Sequence, residues 1–418
     1  VGVYLRALDH NPRYQAALAD YRAILELKPQ ATGRLLPRLG LQAEYKVVRQ
    51  AVEGDFFGFT DIDRSETFDR LAFSVALSQT VFRRDAFLGL ERAEVEIGRA
   101  RLLLTDARHQ LMIGAAEAYF GLLAAIDNAR FATAQQEAVV RQLDQTIGRF
   151  ESGIVSEADL KAVQAQVDIT AADEIAARNQ IEIARTRLEL ITGTLYDHIA
   201  RLPDEARLPM LDPEALEPWL ERAQQHNIAL LAQMVGARIA ELDIDIARSQ
   251  HLPTLDIIGS HVYFDADGGI SGARKDEDSR IGLVVNMPIF SGGITESRVR
   301  QARARGDREM LMIENERAQA RFDTRSAYLD AQTAKARVDA LRQAVASARA
   351  AEDSAQVSFD VGSRTAADYL STVRERYRAE RDLSLARYNY LLSMLKLRKA
   401  AGVLTVADID LVNLRLQR

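Results

Sequence analysis

Two acids stand out in this chain by their surroundings. Asp159 follows Ser156 by three residues and Asp368 follows Thr365 by three, with Gly153 and Gly362 just upstream. Ser or Thr followed three residues later by an acid is a capping box, in which hydroxyl and carboxylate satisfy free N–H groups at a helix start. Gly just before it suits the left-handed residue that closes the preceding helix. The pattern reads as two tight helix–turn–helix hairpins whose acids cap and remain available as surface charge. Other chemistry is thin. The six histidines, at 10, 109, 198, 226, 251 and 261, have no metal-ligand spacing and read as surface or packing residues. Asp243 and Asp245 fall on a helical stretch and read as solvated. There is no G-x-S-x-G, no P-loop and no Glu-x-x-His pair of the carboxylate-bundle type. With no cysteine, disulfides and thiolate metal sites are excluded within the chain. The expectation is no catalytic residue, no metal and no cofactor.

The elements that must hold the two turns are visible in the placement of proline. All nine prolines lie at 12, 29, 37, 203, 209, 213, 218, 253 and 288. Proline costs about 3 kcal/mol inside a helix, so the proline-free tracts allow very long helices. Arg83 to Arg149 and Ser291 to Gln356 are rich in Ala, Leu, Glu, Gln and Arg, strong helix formers. Each would run on the order of 100 Å as one helix and needs partners along its length. No uninterrupted apolar run of about 18 residues predicts a membrane-spanning helix, which leaves soluble, peripheral and β-barrel readings open. The net charge of −6 with no basic block gives no support to nucleic-acid binding. The chain begins at Val1 without Met, which reads as a processed or trimmed start.

The halves repeat. His10-Asn11 recurs as His226-Asn227 and Leu36-Pro37 as Leu252-Pro253; Ala118-Tyr119 recurs as Ala327-Tyr328, and Phe150, Gly153, Asp159 and Gly193 as Phe359, Gly362, Asp368 and Gly402. The spacing falls from 216 to 209 between Pro37 and Tyr119, so the first half carries an insertion there. Each half holds two segments of period-two alternation: 39–47 and 71–81, then 254–264 and 281–289. These predict strands of about 10–13 residues, long enough for a tilted membrane strand. The polar stretches Gln50–Asp69 and Asp265–Ser279 read as exposed loops. Tyr45, Tyr263 and Phe264 read equally as an interfacial girdle or as packing. A small soluble sheet stays open on pattern alone. Four strands cannot close a membrane barrel, so a membrane reading demands an oligomer of two or three copies.

The stretches LLPRLGL (35–41), AYFGLLAAID (118–127), QQEAVVRQLDQT (135–146), ARNQIEIARTRLELITG (177–193), HLPTLDI (251–257), MPIFSGG (287–293), QAVASA (343–348), VGSRT (361–365) and ARYNYLL (386–392) resemble the TolC family of outer-membrane channels in order and spacing. The resemblance implies a mainly α fold with a β-barrel portion: a homotrimer with a twelve-stranded membrane barrel continued by a long periplasmic α-helical barrel. Strands and extracellular loops would lie at 35–83 and 252–291. The helical barrel would take 1–34, 84–201, 219–251 and 292–400, and a mixed equatorial region 202–218 and 401–418. The function implied is a passive exit duct for drug efflux or type I secretion, gated at its periplasmic tip. Implied partners are outer-membrane lipid, a periplasmic adaptor and an inner-membrane pump or ABC transporter. At the turns, the resemblance makes Asp368 an acidic ring at the pore entrance and Arg364 and Asp159 polar gate links. It departs from the family pattern at Ser371, where a second acidic ring belongs, and at Phe359, which replaces a linking tyrosine and cannot donate a hydrogen bond. The competing readings are a coiled-coil bridging protein, which has no use for four strands, and a helical-bundle enzyme.

Overall fold

Tracts without proline or capping signals fold as uninterrupted helices. The computed structural model describes residues 1–56, 59–269 and 272–416. Helix α4 runs Arg84–Glu151 and α8 Ile294–Asp360, of 68 and 67 residues, close to the expected bounds. The remaining helices are α1 (Gly2–His10), α2 (Pro12–Leu25), α3 (Leu27–Gly33), α5 (Glu157–Thr192), α6 (Glu217–His226), α7 (Ile228–Ser249), α9 (Ala366–Ala400) and α10 (Val406–Asn413). Strands are β1 (Arg38–Phe56), β2 (Phe59–Phe82), β3 (Thr254–Ala266) and β4 (Arg274–Asn286). The chain divides into one unit of residues 1–20, 101–233 and 313–418 and a second of residues 21–100 and 234–312.

In the first unit the duplication is built into matched contacts. Asn11 receives the Tyr14 N–H at 3.2 Å and donates to the Ile191 carbonyl, while Asn227 receives Leu230 N–H at 3.1 Å and donates to the Ala400 carbonyl. Each Asn thus starts one helix and ties it to the last turn of another. Gly193 and Gly402, both at positive φ, follow those last turns. A Cβ on Gly402 would lie 2.0 Å from the His226 carbonyl oxygen and one on Gly193 3.1 Å from His10 Cβ, so both close approach and backbone hand require glycine. Tyr119 and Tyr328 repeat too, donating at 2.7 Å to the carbonyls of Ala200 and Glu214 in the proline-rich connection. Burial raises the Tyr119 hydroxyl to about 12. Trp219 is fully buried against Ala331, Leu397 and Ala401.

A stretch of α4 is long and apolar enough to cross a membrane by length and composition, but more than half of it is buried within the protein. Leu111, Met112, Ile113, Leu122 and Leu123 along this helix pack in the core of the first unit, which accounts for the apolar run.

In the second unit the strands form one antiparallel sheet in the order β1-β2-β3-β4, with β1 and β4 as edges. The polar stretch read as a loop at 50–69 is a correction: the β1–β2 ladder continues through Gln50↔Glu66 and Glu53↔Asp63 to Phe56↔Phe59. β1 and β2 therefore have 19 and 24 residues, and only β3 and β4, at 13 each, match the expected length. Backbone pairing needs no apolar side chains, so a ladder can outrun its amphipathic pattern. The second polar stretch, 265–279, likewise contributes residues to β3 and β4. Next to the sheet, Arg92 pairs with Asp243 at 2.6 Å and Arg238 with Glu91 at 2.9 Å, joining α4 to α7.

Candidate functional site

Each helical hairpin turn is made by a pair of local motifs. Helix α4 ends with Ile154 N–H on the Arg149 carbonyl and Gly153 N–H on the Phe150 carbonyl, both 2.9 Å. Helix α8 ends the same way, with Ser363 on Ser358 at 2.9 Å and Gly362 on Phe359 at 3.0 Å. Gly153 and Gly362 have φ of 73° and 74°, the left-handed position these paired bonds need. The next helices then start on capping boxes. Ser156 Oγ accepts Asp159 N–H at 3.1 Å and donates to Asp159 Oδ2 at 2.6 Å; Thr365 Oγ1 accepts Asp368 N–H at 3.2 Å and donates to Asp368 Oδ2 at 2.8 Å. Such caps contribute about 0.5–2 kcal/mol each.

Capping leaves Asp368 exposed at the surface. Ser371 turns its hydroxyl back to the Asp368 carbonyl at 2.7 Å and adds no charge. Arg364 is exposed, and among the described residues no hydrogen bond or ion pair joins it to Asp159, whose carboxylate is held by Ser156. Phe359 is 3% exposed, packs with Val139, Val163, Ala366 and Leu370, and stacks on Tyr369 with ring centroids 5.9 Å apart. The aromatic ring is thus a core residue of the tip, where the sequence offered only a missing hydroxyl.

Sequence reasoning missed two contacts here. The Arg149 guanidinium lies 4.2 Å from the Phe359 ring centre, donates to the Phe359 carbonyl at 2.9 Å and pairs with Asp360 at 3.1 Å. Further along the second hairpin, Arg376 pairs with Glu352 and lies 3.6 Å from Glu380, which also takes Arg349 at 2.7 Å. Glu352, Arg376 and Glu380 are mostly buried, and burial raises the Glu352 carboxyl above the ordinary range despite the nearby guanidinium. Neither contact has a sequence motif. A charge at 149 reads as an ordinary last-turn cation.

On the sheet, one face carries the apolar residues. Its rungs run Leu39–Leu77–Gly259–Ile281, Leu41–Val75–His261–Ser279 and Ala43–Phe73–Tyr263–Glu277. Leu39, Leu41, Ile281, Leu283 and Val285 on it are 67–81% exposed. Tyr45 and Tyr263 share this face, whereas Phe264 lies on the other, between Ala72 and Asp276, with Arg70 over its ring. That other face carries Glu44, Lys46, Arg70, Arg274, Asp276, Asp278 and Arg280. Among the described residues no group of His, Asp and Glu side chains could hold a metal ion.

Comparison with known proteins gives the same frame. The family model for outer membrane efflux proteins matches residues 3–194 and 219–403. Outer membrane protein TolC of Vibrio cholerae is 32% identical, over 98% of this chain and 92% of its own length. The alkaline protease secretion protein AprF of Pseudomonas aeruginosa is 27% identical over 98% of this chain and 85% of its own. Among solved structures, the Campylobacter jejuni CmeC outer membrane channel superposes with a TM-score of 0.82 at 17% identity, covering 99% of this chain and 88% of that one. The chain belongs to the outer membrane efflux protein family.

Proposed function

We propose that three copies of this outer-membrane chain close a twelve-stranded barrel and work as a passive, gated exit duct. Membership of the efflux family and likeness to TolC and AprF make it a duct for efflux and type I secretion across the outer membrane. The observation that carries the barrel is the slant of the apolar band across the strand register. On β1 the band spans Leu39–Val47, centred on Ala43, which sits level with Glu277. On β4 and just beyond it spans Ile281–Ile289, centred on Val285. The band is therefore displaced by several residues along the strands between the two edges. Strands tilted about 35–45° in a bilayer must shift their apolar segments from strand to strand to keep the band horizontal. The edges β1 and β4 cannot stay unpaired in lipid, and pairing them between copies removes every edge.

In that assembly the residues at 35–83 and 252–291 form the barrel and its extracellular loops. The helices of 1–34, 84–201, 219–251 and 292–400 line the periplasmic passage, with 202–218 and 401–418 as its equatorial region. The charged face of the sheet lines the lumen. Asp368 recurs three times around the tip as an acidic entrance ring, without a second ring at Ser371. Arg364 reaches across to Asp159 or backbone carbonyls of a neighbouring hairpin and opposes opening. A periplasmic adaptor and an inner-membrane pump open the tip and supply the energy, and the chain itself does no catalysis. The experiment that tests the assembly is native mass spectrometry in detergent. A mass of three chains is expected, and a stable monomer or dimer would overturn the twelve-stranded barrel.

A further inference from the structure

We infer that Arg149 is a clasp that holds the second helical hairpin, α8–α9, against the first, α4–α5, and so sets how readily the tip opens. The inference rests on the gate reading above and names a residue that reading did not contain. Three contacts made by one guanidinium support it. Its central carbon lies over the Phe359 ring, 4.2 Å from the ring centre, one arm donates to the Phe359 carbonyl at 2.9 Å, and another reaches the Asp360 carboxylate at 3.1 Å. All three acceptors lie in the last turn of α8, 210 residues further along the chain, and α8 leads directly into the turn that carries Asp368.

The accepting carbonyl is a group that a helix end leaves available. Phe359 O already takes Gly362 N–H at 3.0 Å, and Arg149 fills its second lone pair. The guanidinium therefore binds the turn's own closing motif, and any swing of α8–α9 away from α4 breaks all three contacts together. The surroundings favour a durable contact. Arg149 is 25% exposed in its side chain, and Phe359 beneath it is buried and also stacks on Tyr369. Stacking and a two-armed hydrogen bond need the flat fork of arginine, which lysine lacks.

The duplication shows that the contact is not a leftover of repeat symmetry. The position matching Arg149 in the second half is Ser358, and the ring matching Phe359 in the first half is Phe150, which is 38% exposed. One repeat supplies the cation and the other the buried ring, so the link runs in one direction only. It holds the hairpin whose turn carries the acidic ring. It also offsets the hydroxyl absent at Phe359, since the same ring is now gripped from its face.

The test is single-channel recording of purified trimers of wild type, Arg149→Ala and Arg149→Lys, with trimer content checked by mass. Arg149→Ala is expected to raise the open-to-closed ratio by about tenfold or more, the size of one lost charged hydrogen bond. Arg149→Lys should recover only part of the wild-type ratio. An intact Arg149→Ala trimer that gates like wild type overturns the clasp. If that variant does not assemble, Arg149→Lys decides, and wild-type gating there overturns it. A wild-type trimer that conducts nothing sinks the duct reading itself, a result distinguishable from failure of the clasp.

Discussion

Replacing Val285 by Arg puts the assignment of the lipid face at direct risk. Val285 is 67% exposed in the single chain, pairs with Leu255, and has Leu283 and Met287, 70% and 58% exposed, two residues to either side. It is the middle of the β4 apolar band, and in the proposed barrel it would face the bilayer core. Arginine near the midplane costs about 2–4 kcal/mol per site, less where the side chain snorkels to the headgroups. Three symmetry-related copies lie far enough apart to act independently, so the trimer loses roughly 6–12 kcal/mol. Refolding into lipid vesicles, followed by urea titration of inserted trimer, reads this loss as a lowered midpoint and yield. Val284→Arg is the matched control. It pairs with Asp256 on the opposite, charged face and should insert nearly as wild type. Equal insertion of Val285→Arg and wild type, or a loss confined to Val284→Arg, would refute the face assignment and with it the slanted-band argument.

Asp368→Asn keeps the size of the capping side chain and removes the charge, so cation selectivity of the pore should fall while helix stability changes little; unchanged selectivity leaves Asp368 as a cap only. Arg364→Ala should raise mean conductance by weakening links worth about 1 kcal/mol or less apiece at an exposed tip, and a wild-type conductance would remove Arg364 from the gate. His109 is 7% exposed, with Asp106, Arg108, Lys399 and the Leu404 backbone around it, and burial lowers its proton affinity. The unfolded chain then binds the proton more readily, so stability is full above the ordinary imidazole value near 6.5 and declines as pH falls through it, by up to about 1.4 kcal/mol per pH unit for each chain. His109→Leu should flatten melting temperature between pH 7.5 and 5.5 relative to wild type, and parallel curves would show that His109 takes no part.

How much of this was legible in the sequence depends on whether a feature is local. The long helices follow from proline-free tracts of strong helix formers, and α4 and α8 end within a few residues of their expected bounds. The capping boxes at Ser156 and Thr365 and the glycines before them are short-range chemistry and could be read directly. Duplication was legible as repeated residues, but what Asn11 and Asn227 repeat for, a tie from one helix start to another helix end, appears only in three dimensions. The ladder beyond Arg49 was not legible, because polar residues, Gly54 and scattered apolar residues such as Val52 and Ile62 break the clean period-two alternation there, and backbone pairing leaves no trace in such a pattern. His109 looked like any other scattered histidine, since the Lys399 charge and the Leu404 backbone beside it belong to a distant segment of the chain. Arg149 was hidden for the same reason. Its partners are 210 residues away, and in its own helix it is one more basic residue in a last turn.

The most direct test of the duct is conductance in a planar lipid bilayer after adding purified trimer at low concentration. Stepwise, uniform current increments that are cation-selective are expected, each marking insertion of one barrel. Folded trimers that leave the bilayer silent at either polarity would contradict the duct and favour a coiled-coil bridging protein that never crosses the membrane.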